Sequence, residues 1–225
     1  MEKEDTRFHG RIFGKKMKGA RSQYIETILP NVEIKINDNF SDLKNLFEKN
    51  INQVWLEIGF GNGEHVISQA IENPNVGIIG AEPYMNGVSA LLRDMGDLKN
   101  IKIIASDVRP FLDKFPNKSL DKIFILFNDP WPKKRHHKRR FANKYNLDRC
   151  ARVLKDEGTL VFATDHKGLA IHSIREFEKH PNFEWINRNK ISYWRKRPEK
   201  WFPTRYEEKA LKQGRKSVYF FFKKI

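Results

Sequence analysis

The sequence predicts an α/β fold in which helices cover both faces of a doubly wound, mostly parallel sheet with an antiparallel edge strand. Short apolar runs alternate with amphipathic stretches between residues 54 and 179, which is the pattern of parallel strands joined by helices. Acidic residues mark the ends of five of these runs. The runs after residue 183 have little helical sequence between the first two, which favours antiparallel pairing at one edge.

Each element is predicted from its apolar spacing and from the turn residues beside it. Before the sheet, apolar residues at helical spacing predict a helix over residues 38–49, with Ser41 as its cap. The predicted parallel strands are 54–58, 76–81, 101–105, 122–127 and 159–163. The predicted helices are 64–72, 85–95, a short one near Phe111, 141–154 and 167–179. Further strands are expected at 183–186, 191–194 and 217–222.

The charge is the unusual feature of the composition. The chain has 43 Lys and Arg against 28 Asp and Glu, a formal net charge of +15, which favours a nucleic acid or another anionic surface as partner. A lysine-rich composition can also serve solubility alone. Residues 1–37 are basic and irregular, and we expect them to form a flexible arm before a single domain over residues 38–225.

Cysteine use and hydropathy limit the cellular setting. Cys150 is the only cysteine, so no intrachain disulfide can form and a reducing, cytoplasmic compartment is expected. No apolar run approaches the roughly 18 residues of a membrane span, and the basic N-terminus lacks the apolar segment of a secretory signal. His136 and His137 have no ligand-like spacing with Cys150, so no metal site is expected.

The most informative stretch runs from Phe127 to Arg140. An apolar strand leads into Asp129, which prolines and a tryptophan surround. Residues 133–140, here called the basic strip, hold six Lys or Arg and two His. A carboxylate that could take part in chemistry therefore lies beside a segment that could hold a polyanion, which indicates an enzyme acting on nucleic acid. Trp131 either stacks on a base or wedges the loop.

Acidic residues stand at the ends of five successive predicted strands, namely Glu57, Glu82, Asp107, Asp129 and Asp165. In open α/β sheets, ligands bind outside the carboxyl ends of the strands. A single acid at such a place is often only a helix cap, but five in succession predict a binding site.

The first predicted strand is followed by a turn with Gly59, Gly61 and Gly63, here called the glycine turn. Its glycines are one residue closer together than in the dinucleotide motif G-x-G-x-x-G, and the acids Glu57 and Glu64 flank them. Such a turn lets the backbone approach a ligand closely. Acids around it are unfavourable for a pyrophosphate and favourable for a cation.

Glu82 and Asp107 extend this site toward a nucleoside. Glu82 lies 19 residues after Gly63, where a carboxylate can hold both ribose hydroxyls, and Asp107 can reach an adenine amino group. These features together suit S-adenosylmethionine, which contains one adenosine, an ammonium and a sulfonium but no phosphate. We therefore predict S-adenosylmethionine as the cofactor.

Several motifs together resemble a known family. The order of strands and acids resembles the class I methyltransferases, which have a Rossmann-like, seven-stranded sheet. The runs Asn-Asp-Pro-Trp-Pro-Lys at 128–133 and Arg-His-His-Lys-Arg-Arg at 135–140 resemble the tRNA (guanine-N7-)-methyltransferases. So do Leu-Glu-Ile-Gly-Phe-Gly at 56–61, Thr-Asp at 164–165 and Thr-Arg-Tyr-Glu at 204–207. The resemblance covers roughly residues 50–225, and more loosely the basic arm.

The resemblance implies methyl transfer from S-adenosylmethionine to N7 of a guanosine in the tRNA variable loop (position 46). It implies cofactor contacts from Glu57, Glu82, Asp107 and Asp129, to which the glycine turn adds Gly59, Gly61 and Gly63. Substrate contacts are implied for Lys133, Asp165, Thr204, Arg205, Tyr206 and Glu207. The tRNA backbone is expected to contact Arg135, His136, His137, Lys138, Arg139 and Arg140.

Asp129 is interpreted as the catalytic residue, acting by orientation and electrostatics. Guanine N7 has a free lone pair and carries no proton, so its attack on a methyl group needs no base. The product base is cationic, and a fixed carboxylate can stabilise the charge as it develops. Asp129 could also accept a hydrogen bond from the guanine N1–H or amino group, a pattern that adenine cannot supply.

Other functions stay open at this point. Methylation of an exocyclic amine is loosely indicated by the Asn-Asp-Pro-Trp run, although a second proline is missing and the basic strip disfavours it. A non-catalytic RNA-binding module would not need the glycine turn or the acids. A nicotinamide oxidoreductase is the weakest alternative. No obligatory protein partner is expected for the tRNA-binding chain, which could act as a monomer or a homodimer.

Overall fold

The computed structural model describes residues 9–12, 14, 19–48, 51–189, 191–199, 201 and 205–225, with only the backbone of residues 20, 191, 205 and 206. Its strands are β1 (Gln53–Ile58), β2 (Val76–Ala81), β3 (Ile101–Ile104), β4 (Leu120–Leu126), β5 (Leu154–Thr164), β6 (Phe183–Trp185) and β7 (Val218–Lys224). They form one seven-stranded sheet in the order β3-β2-β1-β4-β5-β7-β6. The predicted fold class is confirmed.

The five strands from β3 to β5 are parallel, whereas β7 runs antiparallel to both β5 and β6. β1 is central and pairs with β2 on one side and with β4 on the other. Because parallel strands end at the same edge of a sheet, the turns after β1, β2, β3 and β4 come together there. Three of the five predicted strand-end acids, Glu82, Asp107 and Asp129, lie in these turns, and Glu57 lies near the end of β1.

Helices cover both faces of the sheet. They are α1 (Ala20–Thr27), α2 (Leu29–Val32), α3 (Glu64–Glu72), α4 (Met85–Asp94), α5 (Arg109–Lys114), α6 (Lys144–Val153), α7 (Lys167–Lys179), α8 (Ile191–Arg195) and α9 (Arg205–Lys212). Two short 3-10 helices span Leu43–Leu46 and Lys134–Arg139. α5, α6 and α7 bury their apolar side chains in one layer of core, and α2, α3 and α4 bury theirs in a second layer.

The helix predicted over residues 38–49 is wrong in extent. Within its described part, residues 38–48, only Leu43–Leu46 is helical, and this turn is a 3-10 helix. Its cap is Asp42 and not Ser41, because the Asp42 side chain accepts the hydrogen bond from the Lys44 N–H. Phe40 packs edge-on against the ring of Phe115 at 5.1 Å, and Phe47 lies under Gly77 of β2. The apolar side chains therefore reach separate parts of the core, which one regular helix face could not do.

The strand predicted over residues 191–194 is also wrong, because these residues lie in α8. Trp194 packs against Trp185 of β6 at 6.2 Å and against Phe220 of β7 at 5.7 Å. This aromatic contact fixes the segment beside the sheet edge, and its contribution outweighs the β propensity of an Ile-Ser-Tyr-Trp sequence.

Part of the segment expected to be a flexible arm is instead folded onto the domain. α1 and α2 lie within residues 1–37, and the Ser89 hydroxyl of α4 donates a hydrogen bond to the Arg21 carbonyl at 3.0 Å. The Ile34 N–H donates to the Ile103 carbonyl at 2.8 Å and so covers the edge of β3. Residues 1–8, 13 and 15–18 lie outside the described residues, so an arm there stays a prediction.

Candidate active site

The carboxyl ends of the parallel strands open into a cavity of about 870 Å³. Its lining comes from the residues that follow β1, β2, β3 and β4, from residues 9–11 and from residues 138–146. Pockets for small molecules typically measure about 300–1,000 Å³. The cavity is thus large enough for a cofactor that contains one nucleoside.

The glycine turn forms one wall of this cavity. Gly59 and Gly61 line it with φ angles of 77° and 60°, which only glycine adopts readily. A Cβ atom built on Gly59 would have no other atom within 4 Å, so open space lies beside the backbone at this point. The exposed face of the Gly59 backbone and the carboxylates of the cavity therefore border a space that a ligand could fill.

Gly63 has a different role from the one predicted, because it does not line the cavity. It precedes α3 with a φ of 87°, and a Cβ atom there would lie 2.1 Å from the Cδ1 atom of Leu91 in α4. Gly63 thus allows α3 and α4 to pack closely. The expected cofactor contact from Gly63 is replaced by a packing role.

Glu57 is held in place by a buried histidine. Its Oε2 atom lies 2.6 Å from Nδ1 of His65 in α3, and the two side chains are 3% and 1% exposed. The His65 ring is edge-on to Phe124 at 4.8 Å and to Trp201 at 4.5 Å, and its Nε2 atom is buried with no hydrogen-bond partner among the described residues. Since Glu57 also lines the cavity, His65 fixes one wall of the site.

Glu82 links the turn after β2 to the glycine turn. Its Oε2 atom accepts a hydrogen bond from the Gly61 N–H at 2.8 Å, and its Oε1 atom accepts one from the Tyr84 N–H at 2.9 Å. Burial raises the pKa of Glu82, the negative charges of Asp129 and Glu57 add to this effect, and the two N–H groups oppose it. The carboxylate is therefore fixed, and a cationic or hydroxyl-bearing ligand would stabilise it.

Asp107 follows β3 and also lines the cavity. Its Oδ2 atom lies 2.7 Å from Nη2 of Arg109, and its Oδ1 atom accepts a hydrogen bond from the Arg109 N–H at 3.1 Å. The side chain is 24% exposed, which leaves room for a further donor. The arginine limits the rotation of the carboxylate and keeps it at the cavity wall.

Asp129 lies in a loop of unusual backbone shape after β4. Phe127 and Trp131, which bracket it, have φ angles of 52° and 43° although neither is glycine. Asp129 reaches the cavity, and the protein atoms around it remove enough water to raise the pKa of its carboxyl group. The neighbouring Asn128 has a buried Oδ1 atom with no hydrogen-bond partner among the described residues.

Arg140 supports this loop and does not face the solvent. It is 3% exposed, and its guanidinium donates hydrogen bonds to the carbonyls of Pro130 at 3.0 Å, Trp131 at 3.4 Å and Gly168 at 3.4 Å. Three of the five guanidinium N–H groups are thus used within the protein, which disfavours the predicted contact of Arg140 with the tRNA backbone. The last residue of the basic strip is a clamp on the Asp129 loop.

The rest of the basic strip lies at the surface next to the cavity. Lys134–Arg139 is the second 3-10 helix, and none of its residues is buried. Lys138 and Arg139 line the cavity, whereas Lys133 lies outside it and is exposed. The Arg139 guanidinium lies 5.0 Å from the ring of Trp131, so this tryptophan packs under the strip in a cation–π contact. Arg135, His136 and His137 do not line the cavity.

Two further predicted substrate residues, Asp165 and Glu207, do not line the cavity. Asp165 pairs with Arg215 at 2.7 Å. Glu207 is buried and accepts two hydrogen bonds, one from the Tyr219 hydroxyl and one from Arg197 at 3.2 Å. Burial raises the pKa of Tyr219, and its hydrogen bond to the charged Glu207 adds to this effect. Thr204 and the side chains of Arg205 and Tyr206 lie outside the described residues.

The structure adds residues that the sequence interpretation missed. His9, Gly10 and Arg11 line the cavity, and the Met85 N–H donates to the Ile12 carbonyl at 3.0 Å to hold this segment near α4. Tyr145, at the start of α6, also lines the cavity. No spacing rule connects residues so far apart along the chain. The basic and aromatic character of residues 1–37 could, however, have indicated that this segment contributes to a binding site.

Among the described residues, no group of three or more His, Cys, Asp and Glu side chains could hold a metal ion. None of the helices in the same part of the chain combines the length and the apolar character that crossing a bilayer requires.

Comparison with known proteins agrees with this geometry. A family model described as "Putative methyltransferase" matches residues 51–220. A tRNA (guanine-N(7)-)-methyltransferase of Rhodospirillum rubrum is 39% identical over 98% of this chain and 89% of its own length. One of Roseobacter denitrificans is 42% identical over 96% of this chain and 94% of its own. The solved structure of the 16S rRNA methyltransferase KamB has a TM-score of 0.54 and 13% identity, covering 83% of this chain and 95% of that one, and it supports the fold alone.

Proposed function

Because this chain belongs to the tRNA (guanine-N(7)-)-methyltransferase family, we propose that it transfers a methyl group from S-adenosylmethionine to N7 of a guanosine in the variable loop of tRNA. The observation that carries the proposal is the convergence of Glu57, Glu82, Asp107 and Asp129 on one cavity whose rim is formed by the basic strip. The acids suit a cationic nucleoside cofactor, and the strip suits a polyanion.

The donor set of the cavity fits S-adenosylmethionine. The open space beside Gly59 gives the cofactor access to the backbone. The acids beside this turn, Glu57, Glu64 and Glu82, suit an ammonium and a sulfonium better than a pyrophosphate. Glu57 would hold the ammonium, Glu82 the ribose hydroxyls and Asp107 the adenine amino group. When bound, the cofactor supplies a methyl group that a nucleophile can accept without prior activation.

Asp129 acts on the guanine in this proposal. N7 carries no proton, so no residue needs to remove one. The base becomes cationic as the new N–C bond forms, and the Asp129 carboxylate stabilises that charge in a place where loss of water strengthens the attraction. The clamp by Arg140 keeps the carboxylate in one position, which favours an in-line approach of the base.

The basic strip positions the tRNA. Arg135, Lys138 and Arg139 contact phosphates, which orient the RNA but do not select the base, and His136 and His137 add donors to the same surface. Further proposed substrate contacts are Lys133, Asp165 and the segment 204–207. To contact the RNA directly, Asp165 would have to leave its pair with Arg215, and Glu207 would have to leave its hydrogen bond with Tyr219. No obligatory partner protein is proposed, and the chain acts as a monomer or a homodimer.

The test is methylation of unmodified tRNA with labelled S-adenosylmethionine, followed by nucleoside mass spectrometry. We expect N7-methylguanosine in the wild type. We expect its loss in Asp129→Ala with partly retained binding of S-adenosylhomocysteine. We expect normal turnover in the control Asp97→Ala, which changes an exposed acid away from the cavity. Full turnover by Asp129→Ala would refute the role of Asp129. A methylated exocyclic amine would favour amine methylation, and binding of tRNA without binding of cofactor would favour a non-catalytic module.

A further inference from the structure

A second concavity, of about 520 Å³, lies beside the glycine turn and contains a cluster of cations. Arg21 comes from α1, Arg93 from α4 and Lys209 from α9, so three separate elements each contribute one positive charge. None of the described residues that line it is acidic. We call this concavity the cationic cleft.

The charges of the cationic cleft are largely available to a ligand. Arg21 and Lys209 form no ion pair with any residue that the structure describes, and both are exposed. Arg93 donates two hydrogen bonds to its neighbour Asp94, at 2.7 and 2.6 Å, and half of each side chain is exposed to water. Arg93 is therefore reachable but shares its charge with Asp94. An anion entering the cleft would therefore meet two cations that have no ion pair with a described residue and a third that is shared with Asp94.

The cleft is built from fixed parts of the fold. The Ser89 hydroxyl of α4 donates to the Arg21 carbonyl, and this bond joins the helices that carry Arg21 and Arg93. Asn62 and Tyr84 also line the cleft; Asn62 belongs to the glycine turn, and Tyr84 lines the large cavity as well. The cationic cleft and the proposed cofactor site thus share a wall.

The cleft also adjoins the proposed substrate segment. Lys209 lies two residues after Glu207 and one helical turn after Arg205, on α9. In the sheet, α4 follows β2 and the basic strip follows β4, and these two strands flank β1 on opposite sides. Cations therefore stand on both sides of the strand that leads into the glycine turn.

We propose that the cationic cleft binds phosphate groups of the tRNA backbone, as a second contact surface separate from the basic strip. The proposal rests on the proposed function. A polyanion is the ligand that matches three charges on three separate elements in an open cleft, because successive phosphates can reach each of them. Contacts at the cleft and at the strip together fix the rotation of the RNA over the cavity, which one strip alone would leave free.

The test compares the full chain with two matched double variants. Arg21→Gln/Lys209→Gln removes two charges from the cleft, and Lys99→Gln/Arg175→Gln removes two charges from exposed positions elsewhere. The Kd for an unmodified tRNA transcript is measured from about 50 to about 200 mM salt, because each lost phosphate contact lowers the log–log salt slope by about one. The Kd for S-adenosylhomocysteine and the Tm are measured alongside.

We expect the slope of log Kd against log salt concentration to be smaller by about two in the cleft variant than in the wild type. The rise in Kd across this fourfold salt range would then be roughly tenfold smaller. The control should keep the wild-type slope, and all proteins should bind S-adenosylhomocysteine equally. Equal slopes in the two double variants would overturn the proposal, and so would a uniform loss of affinity with no change in slope. The single variants Arg21→Gln and Lys209→Gln, each expected to lose about one, provide the same decision if the double variant does not fold. A wild type that binds neither tRNA nor S-adenosylhomocysteine would refute the proposed function itself.

Discussion

Replacing His65 with phenylalanine should weaken cofactor binding strongly while changing the stability of the fold little. The His65 ring donates from Nδ1 to Glu57 at 2.6 Å, and both side chains are almost completely buried. Phenylalanine keeps the edge-on contacts with Phe124 and Trp201 but cannot donate a hydrogen bond. Glu57 would then lose the donor that holds its carboxylate against the cavity wall.

Two opposing contributions decide the stability of His65→Phe. A buried carboxylate that loses its donor costs about 3 kcal/mol, because the penalty for a charged group is larger than that for a neutral one. The same substitution removes Nε2, which is buried without a partner among the described residues and costs a similar amount in the wild type, about 1–3 kcal/mol. The net change should stay within about 2 kcal/mol, a shift in Tm of a few degrees for a chain of this size.

Cofactor affinity has no such compensation. A hydrogen bond to a charged group contributes about 1.5–3 kcal/mol, which corresponds to roughly 10–150-fold in Kd. The matched variant His65→Asn restores an N–H donor near the position of Nδ1 but removes the ring. It should therefore recover most of the affinity while losing about 2–4 kcal/mol of stability through the space left beside Trp201.

The assay is calorimetric titration with S-adenosylhomocysteine, together with thermal unfolding of the same samples. The expected pattern is a stable, weakly binding His65→Phe and a less stable, tightly binding His65→Asn. Wild-type affinity in His65→Phe would refute the claim that His65 positions Glu57. Weakened binding confined to His65→Asn would show that ring packing, and not the hydrogen bond, sets the affinity.

Three further predictions concern the Asp129 loop and the core. Because burial raises the pKa of Asp129 and the carboxylate is the active form, kcat/KM should fall with decreasing pH at values above the ordinary aspartate range, and an acid limb at the ordinary value would contradict this. Arg140→Met should lower the free energy of unfolding in urea by about 1.5–3 kcal/mol and lower kcat, while the salt dependence of tRNA binding stays unchanged. A salt slope reduced by about one would instead show that Arg140 contacts the RNA backbone. Burial raises the pKa of the Cys150 thiol to about 12, so iodoacetamide should label it only after unfolding, and rapid native labelling would contradict its burial.

The sheet and the row of acids were predictable because both depend on short-range pattern. Apolar runs of the length of a strand, each followed by an acid, gave β1 to β5 and put Glu57, Glu82, Asp107 and Asp129 at one edge. Parallel pairing then brings these residues together without any knowledge of side-chain contacts.

The roles of individual residues within the same motifs were less predictable. Arg140 reads as the last of a run of cations, and only the three carbonyls that surround it in the fold show that it is a clamp. Gly63 reads as part of a ligand-binding turn, and only Leu91 shows that it is needed for packing. His65 looks like an ordinary helix residue until the turn brings it to Glu57. Each of these roles depends on a partner distant in sequence, which spacing cannot reveal.

The backbone of the Asp129 loop has a consequence for how this protein tolerates change. Phe127 and Trp131 hold left-handed conformations that cost a residue with a side chain on the order of 1–3 kcal/mol each. Glycine at either position would relieve that cost, but it would also remove a ring contact, that of Phe127 with Tyr219 or that of Trp131 with Arg139. The lost packing costs as much as the strain or more, so a glycine variant gains no stability. It would also leave the Asp129 carboxylate without a fixed position, because the two rings hold the loop in one shape. The strain at these two residues is therefore maintained by packing, and relieving it would lower turnover without making the protein more robust.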